Sequence, residues 1–371
     1  MRGVFNFFRH IKSAIEFGNL PAEQRRLVFY SEGKNYWVHL EGIIREFLAI
    51  SDIPVCYISS NSNDPGLQFT HINFKSFEID EGFVRDWLFQ NMETEVVVMS
   101  MPDINQYQVK RSKHKVHYVY LQHSLVSLHM VYRKGAFDHY DTMFCAGPHH
   151  IKEARAIEAY YNLPAKTLVE HGYARLDDIL EEAKTRSVTS KSENTPKHIL
   201  IAPSWGPQGT IESGVGEKLV NRLIDQGFQV TLRPHPQTMK FAKDRIDAIV
   251  AKHAKHPLFA CETDVAGQES LHESDLMIGD WSGAALDYSF GLNRPVLFTD
   301  VPRKVNNPEY EKINIEPFEV MFRAKSGVIG GDFELPPLPE GSVLAAEDHI
   351  FNVGRSAEVG AREVLKILEN G

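Results

Sequence analysis

The chain has 371 residues, a length that predicts two domains of ordinary size rather than one core. Its composition, with 43% hydrophobic and 24% charged residues, is typical of a globular protein. The formal net charge of -9 argues against a broadly cationic surface, so we expect no nucleic-acid partner.

The cysteines and the length of the apolar runs indicate the compartment. Cys56, Cys145 and Cys261 lie far apart and mostly within apolar runs, which is typical of reduced, buried thiols rather than of a disulfide framework or a zinc site. No apolar run reaches the roughly 18 residues that a membrane-spanning helix needs. These features predict a cytoplasmic protein.

Residues 1–17 predict an amphipathic helix. Apolar residues recur at helical spacing with cations near them: Val4, Phe5, Phe7, Phe8, Ile11, Ala14 and Ile15, with Arg2, Arg9 and Lys12. Charged residues interrupt the apolar run, which argues against a signal peptide. Such a helix can make weak contact with a membrane interface, or it can pack against the protein, and the sequence leaves both interpretations open.

Short apolar, β-branched runs alternate with helical patterns along nearly the whole chain, which predicts an α/β fold with parallel sheets. The predicted strands are residues 27–30, 54–59, 95–100, 116–122, 141–146, 167–170, 198–202, 228–232, 276–278 and 295–298. The predicted helices include residues 37–49, 82–90, 149–161, 217–226 and 284–290.

A polar stretch at residues 185–197 predicts a linker between two doubly wound, Rossmann-like domains. We expect an N-terminal domain over residues 1–185, a C-terminal domain over residues 198–345 and a helical tail over residues 346–371. The helix predicted at residues 355–369 has a spacing that would allow it to cross back to the first domain.

The most informative motif places Arg233 and His235 directly after the strand at residues 228–232, between prolines that hold their backbone. A guanidinium suits phosphate as an always-charged fork of donors. An imidazole can donate to a phosphoryl oxygen or protonate a leaving group. Because ligands of open parallel sheets bind at the carboxyl ends of strands, the motif predicts a site for a nucleotide diphosphate compound.

A Ser-Gly turn follows the strand at residues 276–278 and opens a helix. Ser282 is a natural N-cap, and Gly283 allows a phosphate to approach the backbone at the helix N-terminus. Asp280 can bind a ribose hydroxyl or merely orient the turn. After the strand at residues 198–202, Ser204 can contact phosphate, and Trp205 can stack on a base or cap the core.

Further candidates lie in the N-terminal half. His123 ends the strand at residues 116–122, where it is placed to act as general base on a hydroxyl. Arg175, in the first turn of a helix, can reach an anion, and Glu32 and Lys34 follow the first strand on a loop that suits a polar acceptor. The histidines lack metal-site spacing, and no Walker or dinucleotide glycine motif is present, so we expect no metal ion and no cofactor.

Taken in order, five motifs resemble the CDP-glycerol glycerophosphotransferase family, which includes teichoic acid primases and polymerases with relatives in capsule and O-antigen synthesis. The motifs are Gln122-His123, Gly172-Tyr173-Ala174-Arg175, Ala202-Pro203-Ser204-Trp205, Arg233-Pro234-His235-Pro236 and Asp280-Trp281-Ser282 with Asp287-Tyr288. The resemblance covers roughly residues 116–288.

The resemblance implies a GT-B fold, with an acceptor-side domain, a nucleotide-donor domain and an active site in the cleft between them. It implies metal-independent transfer of an alditol phosphate from a CDP-activated donor to a lipid-linked or polysaccharide acceptor, releasing CMP. His123 would be the base and His235 a donor-phosphate ligand, and Arg233 and the Ser282 turn would grip the diphosphate.

The chain departs from the family pattern at four positions. It has Ser124 where the family usually has glycine, Ala174 where it has proline, Gly206 where a basic residue is common, and Gly283 where a second serine follows Ser282. These positions touch both pockets, so two alternatives stay open: a GT-B glycosyltransferase using a nucleotide sugar, and a sugar-nucleotide 2-epimerase.

Overall fold

The structure is a computed structural model that describes residues 2–107, 109–186, 195–263, 268–337 and 340–370, with backbone alone for residues 2–5. Residues 187–194 of the predicted linker, and the side chains of Arg2, Val4 and Phe5, lie outside the described part. The chain forms two compact units. Unit 1 contains Met1–His123, Tyr132–Asp177 and Ile350–Gly371, and unit 2 contains Ser124–Val131 and Asp178–His349.

Unit 1 is built on a seven-stranded, all-parallel sheet with the order β3-β2-β1-β4-β5-β6-β7. The strands are β1 Leu27–Ser31, β2 Val55–Ser59, β3 Phe74–Glu78, β4 Val96–Met99, β5 His117–Leu121, β6 Thr142–Cys145 and β7 Thr167–Glu170. The order reverses between β1 and β4, which makes the carboxyl ends of these strands the expected ligand edge.

Helices cover this sheet. Their bounds are α1 Arg2–Gly18, α2 Trp37–Ile50, α3 Phe83–Asn91, α4 Pro148–Tyr161 and α5 Ala174–Thr185. The part of α5 from Asp178 onward belongs to unit 2. The C-terminal helix α12, Ser356–Asn370, packs against α2. Its Ala361, Val364 and Leu368 enter the same apolar core as Leu40 of α2. The predicted return of the tail to the first domain is therefore confirmed.

Unit 2 contains a six-stranded parallel sheet with the order β10-β9-β8-β11-β12-β13. Its strands are β8 His198–Ile201, β9 Gln229–Leu232, β10 Phe259–Cys261, β11 Leu276–Gly279, β12 Val296–Thr299 and β13 Val328–Ile329. Its helices are α6 Val215–Asp225, α7 Pro236–Phe241, α8 Lys243–His253, α9 Glu269–Glu273, α10 Gly283–Leu292 and α11 Phe318–Ser326. The switch point of this sheet lies between β8 and β11.

The segment Ser124–Val131 follows β5 in the chain but belongs to unit 2. The domain boundaries expected from the sequence place this segment in the N-terminal domain. The backbone N–H and hydroxyl of Ser127 both donate to the buried Glu319 carboxylate, at 2.9 and 2.7 Å. The Asn307 amide donates to the carbonyl of His129 at 3.0 Å. Polar contacts between residues some 180 positions apart hold this segment, and such contacts leave no periodic signal in sequence.

The N-terminal helix α1 packs on unit 1 through one face. Phe17 is buried and meets Phe77 of β3 edge-to-face at 5.6 Å, and Arg9 forms an ion pair with Glu78 at 2.6 Å. Phe7 and Phe8 on another face stay exposed. Within the described ranges, none of the helices combines the length and apolar character needed to span a bilayer.

Candidate active site

Asp280 organises the switch-point edge of unit 2. Its buried carboxylate accepts hydrogen bonds from the backbone N–H groups of Ser204 (2.7 Å), Thr210 (3.1 Å) and Trp281 (2.6 Å), and from the Thr210 hydroxyl (2.9 Å). These bonds join the loop after β8 to the turn after β11. Of the two roles that the sequence allowed Asp280, orienting the turn is the one its contacts perform.

Arg233 and His235 follow β9, next to β8 in the sheet. The Arg233 side chain is buried, and its backbone N–H donates to Ile201. His235 is the N-cap of α7, because its Nδ1 accepts from the backbone N–H of Gln237 at 3.1 Å. This bond assigns the ring proton to Nε2, which makes Nε2 the hydrogen-bond donor of the ring.

The pKa of His235 is lowered to about 3, mainly by burial, and the charge of Lys304 lowers it further against the opposing charge of Asp280. The imidazole is therefore neutral near pH 7. A neutral Nε2–H can donate to a phosphoryl oxygen but does not act as a strong acid, so the geometry favours the first of the two roles that the sequence allowed this histidine.

A pocket of about 310 Å³ opens at this edge, a size at the lower end of the range for small-molecule sites. Three loops line it: residues 204–209 after β8, Asp280 and Trp281 after β11, and residues 301–306 after β12. The Trp205 ring lies 6.2 Å from the His235 ring, and the Lys304 ammonium lies 4.9 Å from the Trp205 centroid. The predicted residues Ser204, Trp205 and Asp280 are thus brought together with a lysine that the sequence analysis did not single out.

Helix α10 begins at the predicted turn. The Ser282 hydroxyl accepts from the backbone N–H of Ala284 at 3.2 Å, which is the expected N-cap bond. Gly283 faces Ser124 so closely that a Cβ on Gly283 would lie 2.3 Å from the Ser124 hydroxyl oxygen. Ser124, which follows His123 in the chain, therefore fills the space beside Gly283, the first residue of α10.

In unit 1, His123 sits at the carboxyl end of β5 within a ring of aromatic side chains. The ring centroids of Tyr36, His39 and Tyr132 each lie 6.0 Å from that of His123, and the Tyr120 hydroxyl lies 3.1 Å from His123 Nδ1. Burial lowers the pKa of His123 to about 4, against a backbone hydrogen bond with Ser100 that raises it. The imidazole is neutral at physiological pH and able to accept a proton.

Glu32 lies on the loop after β1, at the same edge of the sheet. Burial raises the pKa of its carboxyl to about 7, with the charge of Arg85 acting in the opposite direction. The charge of Glu32 is the largest cause that raises the pKa of Tyr36. The Glu32 carboxyl therefore lies near the aromatic side chains that surround His123. Lys34, on the same loop, is half-buried.

The buried carboxylate of Asp64 fixes this loop. It accepts from the hydroxyls of Ser31 (2.7 Å), Ser59 (2.6 Å) and Tyr57 (2.8 Å), and from the backbone N–H of Gly66 (2.9 Å). Ser31 directly precedes Glu32. The Asp64 network thereby sets where the Glu32 loop leaves the sheet.

The turn before α5 carries Arg175 into the same region. Gly172 has a φ of +101°, and a Cβ there would lie 2.4 Å from both the Phe351 carbonyl oxygen and the Ser356 hydroxyl oxygen, so only glycine fits. Tyr173 donates to the His123 carbonyl at 3.1 Å and stacks on His39 at 5.9 Å. Arg175 is buried, and its charge helps to lower the pKa of His39.

Several residues of these clusters were not predicted from the sequence: Tyr36, His39, Tyr132 and Lys304. Lys304 carries a usable signal, because it lies a few residues beyond a strand that was predicted, at the sheet edge where ligands bind. The aromatic residues carry none, since their convergence on His123 depends on three separate segments of the chain.

Two doubly wound units, each built on a parallel sheet, define an α/β fold of the GT-B type. The family model described as CDP-glycerol:poly(glycerophosphate) glycerophosphotransferase matches residues 95–304, which is more than half of the chain. The chain therefore belongs to this family and is a glycerophosphotransferase-like enzyme.

Solved structures show the same fold at low sequence identity. The wall teichoic acid polymerase TagF is 14% identical, with a TM-score of 0.57 over 99% of this chain and 98% of that chain. The UDP-GlcNAc 2-epimerase of Methanocaldococcus jannaschii is 13% identical, with a TM-score of 0.54 over 93% and 99%. That of Rickettsia bellii is 13% identical, with a TM-score of 0.55 over 93% and 96%. No curated protein matches the chain by sequence.

Proposed function

We propose that this enzyme transfers an alditol phosphate, glycerol phosphate or ribitol phosphate, from a CDP-activated donor to a hydroxyl of a cell-surface polymer or lipid-linked acceptor, and releases CMP. The observation that carries the proposal is the family match, whose residues 95–304 include both His123 and His235. One solved structure of TagF is of the protein soaked with CDPG, which is consistent with a donor of this class.

In this reaction the acceptor oxygen forms a bond to the β-phosphorus of the donor while the bond from that phosphorus to the CMP oxygen breaks. The neutral imidazole of His123 takes the proton of the acceptor hydroxyl. Positioning and charge stabilisation contribute most of the catalysis in such transfers, and the aromatic residues around His123 provide a rigid, poorly hydrated surrounding for the hydroxyl.

Unit 2 supplies the groups suited to the donor. The Arg233 guanidinium binds phosphate oxygens, His235 donates from Nε2, and the α10 N-terminus capped by Ser282 favours a negative charge. Trp205 offers a ring on which the base can stack, and Asp280 holds the Ser204 loop in place.

The proposal is tested by incubating the purified protein with CDP-glycerol, CDP-ribitol and a panel of sugar nucleotides, and by identifying the released nucleotide. We expect CMP from a CDP-alditol. Release of a nucleoside diphosphate from a sugar nucleotide would instead assign a glycosyltransferase. A C2-epimerised sugar nucleotide with no acceptor transfer would assign an epimerase.

We also propose that the enzyme works in the cytoplasm, where nucleotide donors are made, and that α1 touches the anionic inner surface of the cell membrane. Phe7, Phe8 and Ile15 of α1 are 40%, 63% and 51% exposed, and Phe83 and Trp87 of the neighbouring α3 are also exposed. Exposed aromatic residues beside cations such as Lys12 suit the headgroup region of a bilayer.

Replacing Phe7 and Phe8 together by serine should reduce co-sedimentation with phosphatidylglycerol vesicles and leave transfer to a soluble acceptor intact. These two side chains are exposed, whereas deletion of the whole helix would also remove buried Phe17 from the core. Ile72→Ser, at a 92% exposed position away from α1, is the matched control. Unchanged vesicle binding in the Phe7/Phe8 variant would show that the helix serves packing alone.

A further inference from the structure

The loop after β12 brings a lysine to the donor-site edge of unit 2. β12 pairs with β11 in parallel, so the loop that follows it emerges at the same edge as Asp280 and Ser282. Lys304 on this loop lines the 310 Å³ pocket together with Ser204 and Trp205.

The Lys304 ammonium points along the face of Trp205, at 4.9 Å from the ring centroid. Burial is the main cause that lowers the pKa of His235, and the charge of Lys304 lowers it further, which places the two side chains near each other. The neighbouring Arg303 is used differently, since it is exposed and donates to the Tyr310 hydroxyl at 3.0 Å. Arg303 and Lys304 both line the pocket, and Lys304 is the more buried of the two.

The carboxylates near Lys304 already serve other donors. Asp280 accepts four hydrogen bonds from neutral groups, and Glu212 accepts from the Thr238 hydroxyl at 2.7 Å. In the part of the chain that the structure describes, neither carboxylate comes within 4 Å of the Lys304 ammonium. Burial lowers the pKa of Lys304 to about 8, while the charges of Asp280 and Glu212 raise it, so the side chain is mainly protonated at pH 7.

Burial deprives the ammonium of part of its hydration, and neither carboxylate contacts it to offset that cost. An anionic ligand would therefore stabilise the charged form of Lys304 more than it would stabilise a fully hydrated lysine. Arg233 and His235 follow β9 at the carboxyl edge of the same sheet, and the His235 ring lies 6.2 Å from the ring of Trp205, which lines the pocket. Donors grouped along one sheet edge in this way suit an anion with more than one phosphate rather than a single carboxylate.

We propose that Lys304 is a further donor-binding residue, which pairs with the diphosphate of the nucleotide donor. This inference rests on the proposed function, and it adds a residue that neither the motifs nor the comparisons assign. Lys304 lies over the Trp205 ring, and the donor's phosphates would give its ammonium an anionic partner.

The test is calorimetric titration of the wild type and of Lys304→Met and Lys304→Arg with CDP, CMP and cytidine, and of the wild type and Lys304→Met with UDP. Lys304→Met should weaken CDP binding by about 10- to 100-fold, the scale of a charge-assisted hydrogen bond, weaken CMP binding less, and leave cytidine binding unchanged. Lys304→Arg should retain part of the affinity. Lys312→Met, which removes the same charge from an exposed position in unit 2, should bind all three ligands like the wild type.

Wild-type CDP affinity in Lys304→Met would overturn the inference and leave the proposed function standing. An equal loss for cytidine and CDP would also overturn it, since a merely structural lysine would act without regard to phosphate number. A wild-type protein that binds no nucleotide diphosphate at all would overturn both proposals. A wild type that prefers UDP, with the same loss in Lys304→Met, would support Lys304 while removing the CDP donor.

Discussion

His123 and His235 share a lowered pKa, but their hydrogen bonds differ and so do the roles we infer for them. His235 Nδ1 accepts from the Gln237 N–H, which leaves Nε2 as the donor of the ring. His123 is surrounded by aromatic side chains and shares a hydrogen bond with Tyr120. The first environment suits a ligand anion, and the second suits a neutral hydroxyl whose proton must leave.

His123→Ala should therefore lower kcat by ~10²–10⁴-fold with nearly unchanged donor affinity, because the imidazole acts on the acceptor hydroxyl. His235→Ala should lower kcat and also weaken donor binding, because it removes a hydrogen bond to a charged phosphate. Steady-state kinetics and donor titration of both variants measure the contrast, with exposed His71→Ala as the control.

The pH profile separates His123 from Glu32 as the base. A base must be unprotonated, so kcat should fall only as the pH drops toward the His123 pKa of about 4. An acid limb near pH 7 that disappears in Glu32→Gln would instead assign the base to Glu32, whose pKa is about 7. Near-native turnover of His123→Ala would lead to the same reassignment.

At the residue scale, sequence reasoning could place Arg233, His235 and His123 at strand ends because each follows an apolar run directly. It could not choose between the roles of Asp280, since the choice depends on Ser204 and Thr210, 76 and 70 positions away. The lowered pKa values were also out of reach, because burial of a loop residue is a property of the assembled edge.

At the scale of elements, the sequence signal at helix α10 predicts where the helix begins but not which segment packs against that end. Ser282 predicts the start of the helix correctly, yet the approach of the Ser124–Val131 segment to that start has no local signal. Ser124 and Gly283 stand in the sequence as two separate departures from the family pattern. In the structure they are one contact, in which the Ser124 hydroxyl occupies the space that a side chain at position 283 would need.

Gly283→Ala should accordingly destabilise the wild type by about 1 kcal/mol, the lower end of overpacking costs, because the Ser124 hydroxyl can rotate away. In a Ser124→Ala background the same change should be neutral or stabilising, because the nearest atoms would then be the residue 124 Cβ at 3.5 Å and Val126 Cγ1 at 3.7 Å. A double-mutant cycle by urea unfolding measures the coupling. Gly331→Ala, in open space, is the control, and additive effects of the two changes would show that the contact is unimportant.

Whether a strand could be predicted from the sequence depends mainly on how completely it is buried. Those predicted from the sequence are mostly interior strands, buried along their whole length, such as β1 and β11. β3, β10 and β13 were missed, and all three are edge strands with exposed or half-buried positions that interrupt the apolar run. β7 is the edge strand that its residues did predict. Continuous burial is therefore the signal that sequence carries, and an edge strand depends on its neighbour for definition.

At the scale of the whole molecule, the units hold several histidines in neutral form. Burial is the main cause that lowers the pKa of His123 to about 4, of His171 to about 4 and of His235 to about 3, and it lowers that of His39 as well. Glu32 is shifted the other way, to about 7. These groups couple protonation to folding, because the unfolded chain titrates at ordinary values.

The signs decide the direction of the coupling. Below pH 6.5, the ordinary pKa of histidine, these side chains are protonated in the unfolded chain but stay neutral in the folded protein. Their contribution to stability is therefore lost as the pH falls from about 6.5 toward 4. Glu32 binds a proton in the folded state between 4.5 and about 7, so its contribution is lost as the pH rises through that window. Among the described residues, eight histidines have a lowered pKa and three carboxyls, those of Glu32, Asp103 and Asp177, have a raised one, so acidification should destabilise the protein.

We expect the free energy of unfolding, measured with urea, to be lower at pH 5 than at pH 7.5, with a slope of up to about 1.4 kcal/mol per pH unit for each histidine that stays neutral. His171, 1% exposed, should account for part of this slope, so His171→Gln should flatten the profile whatever its effect at pH 7.5. His71→Gln, at an exposed position, should leave the slope unchanged. A wild-type profile that is flat or rises toward pH 5 would show that these imidazoles take up protons in the folded state, and it would also remove the basis for a neutral His123 at the pH of catalysis.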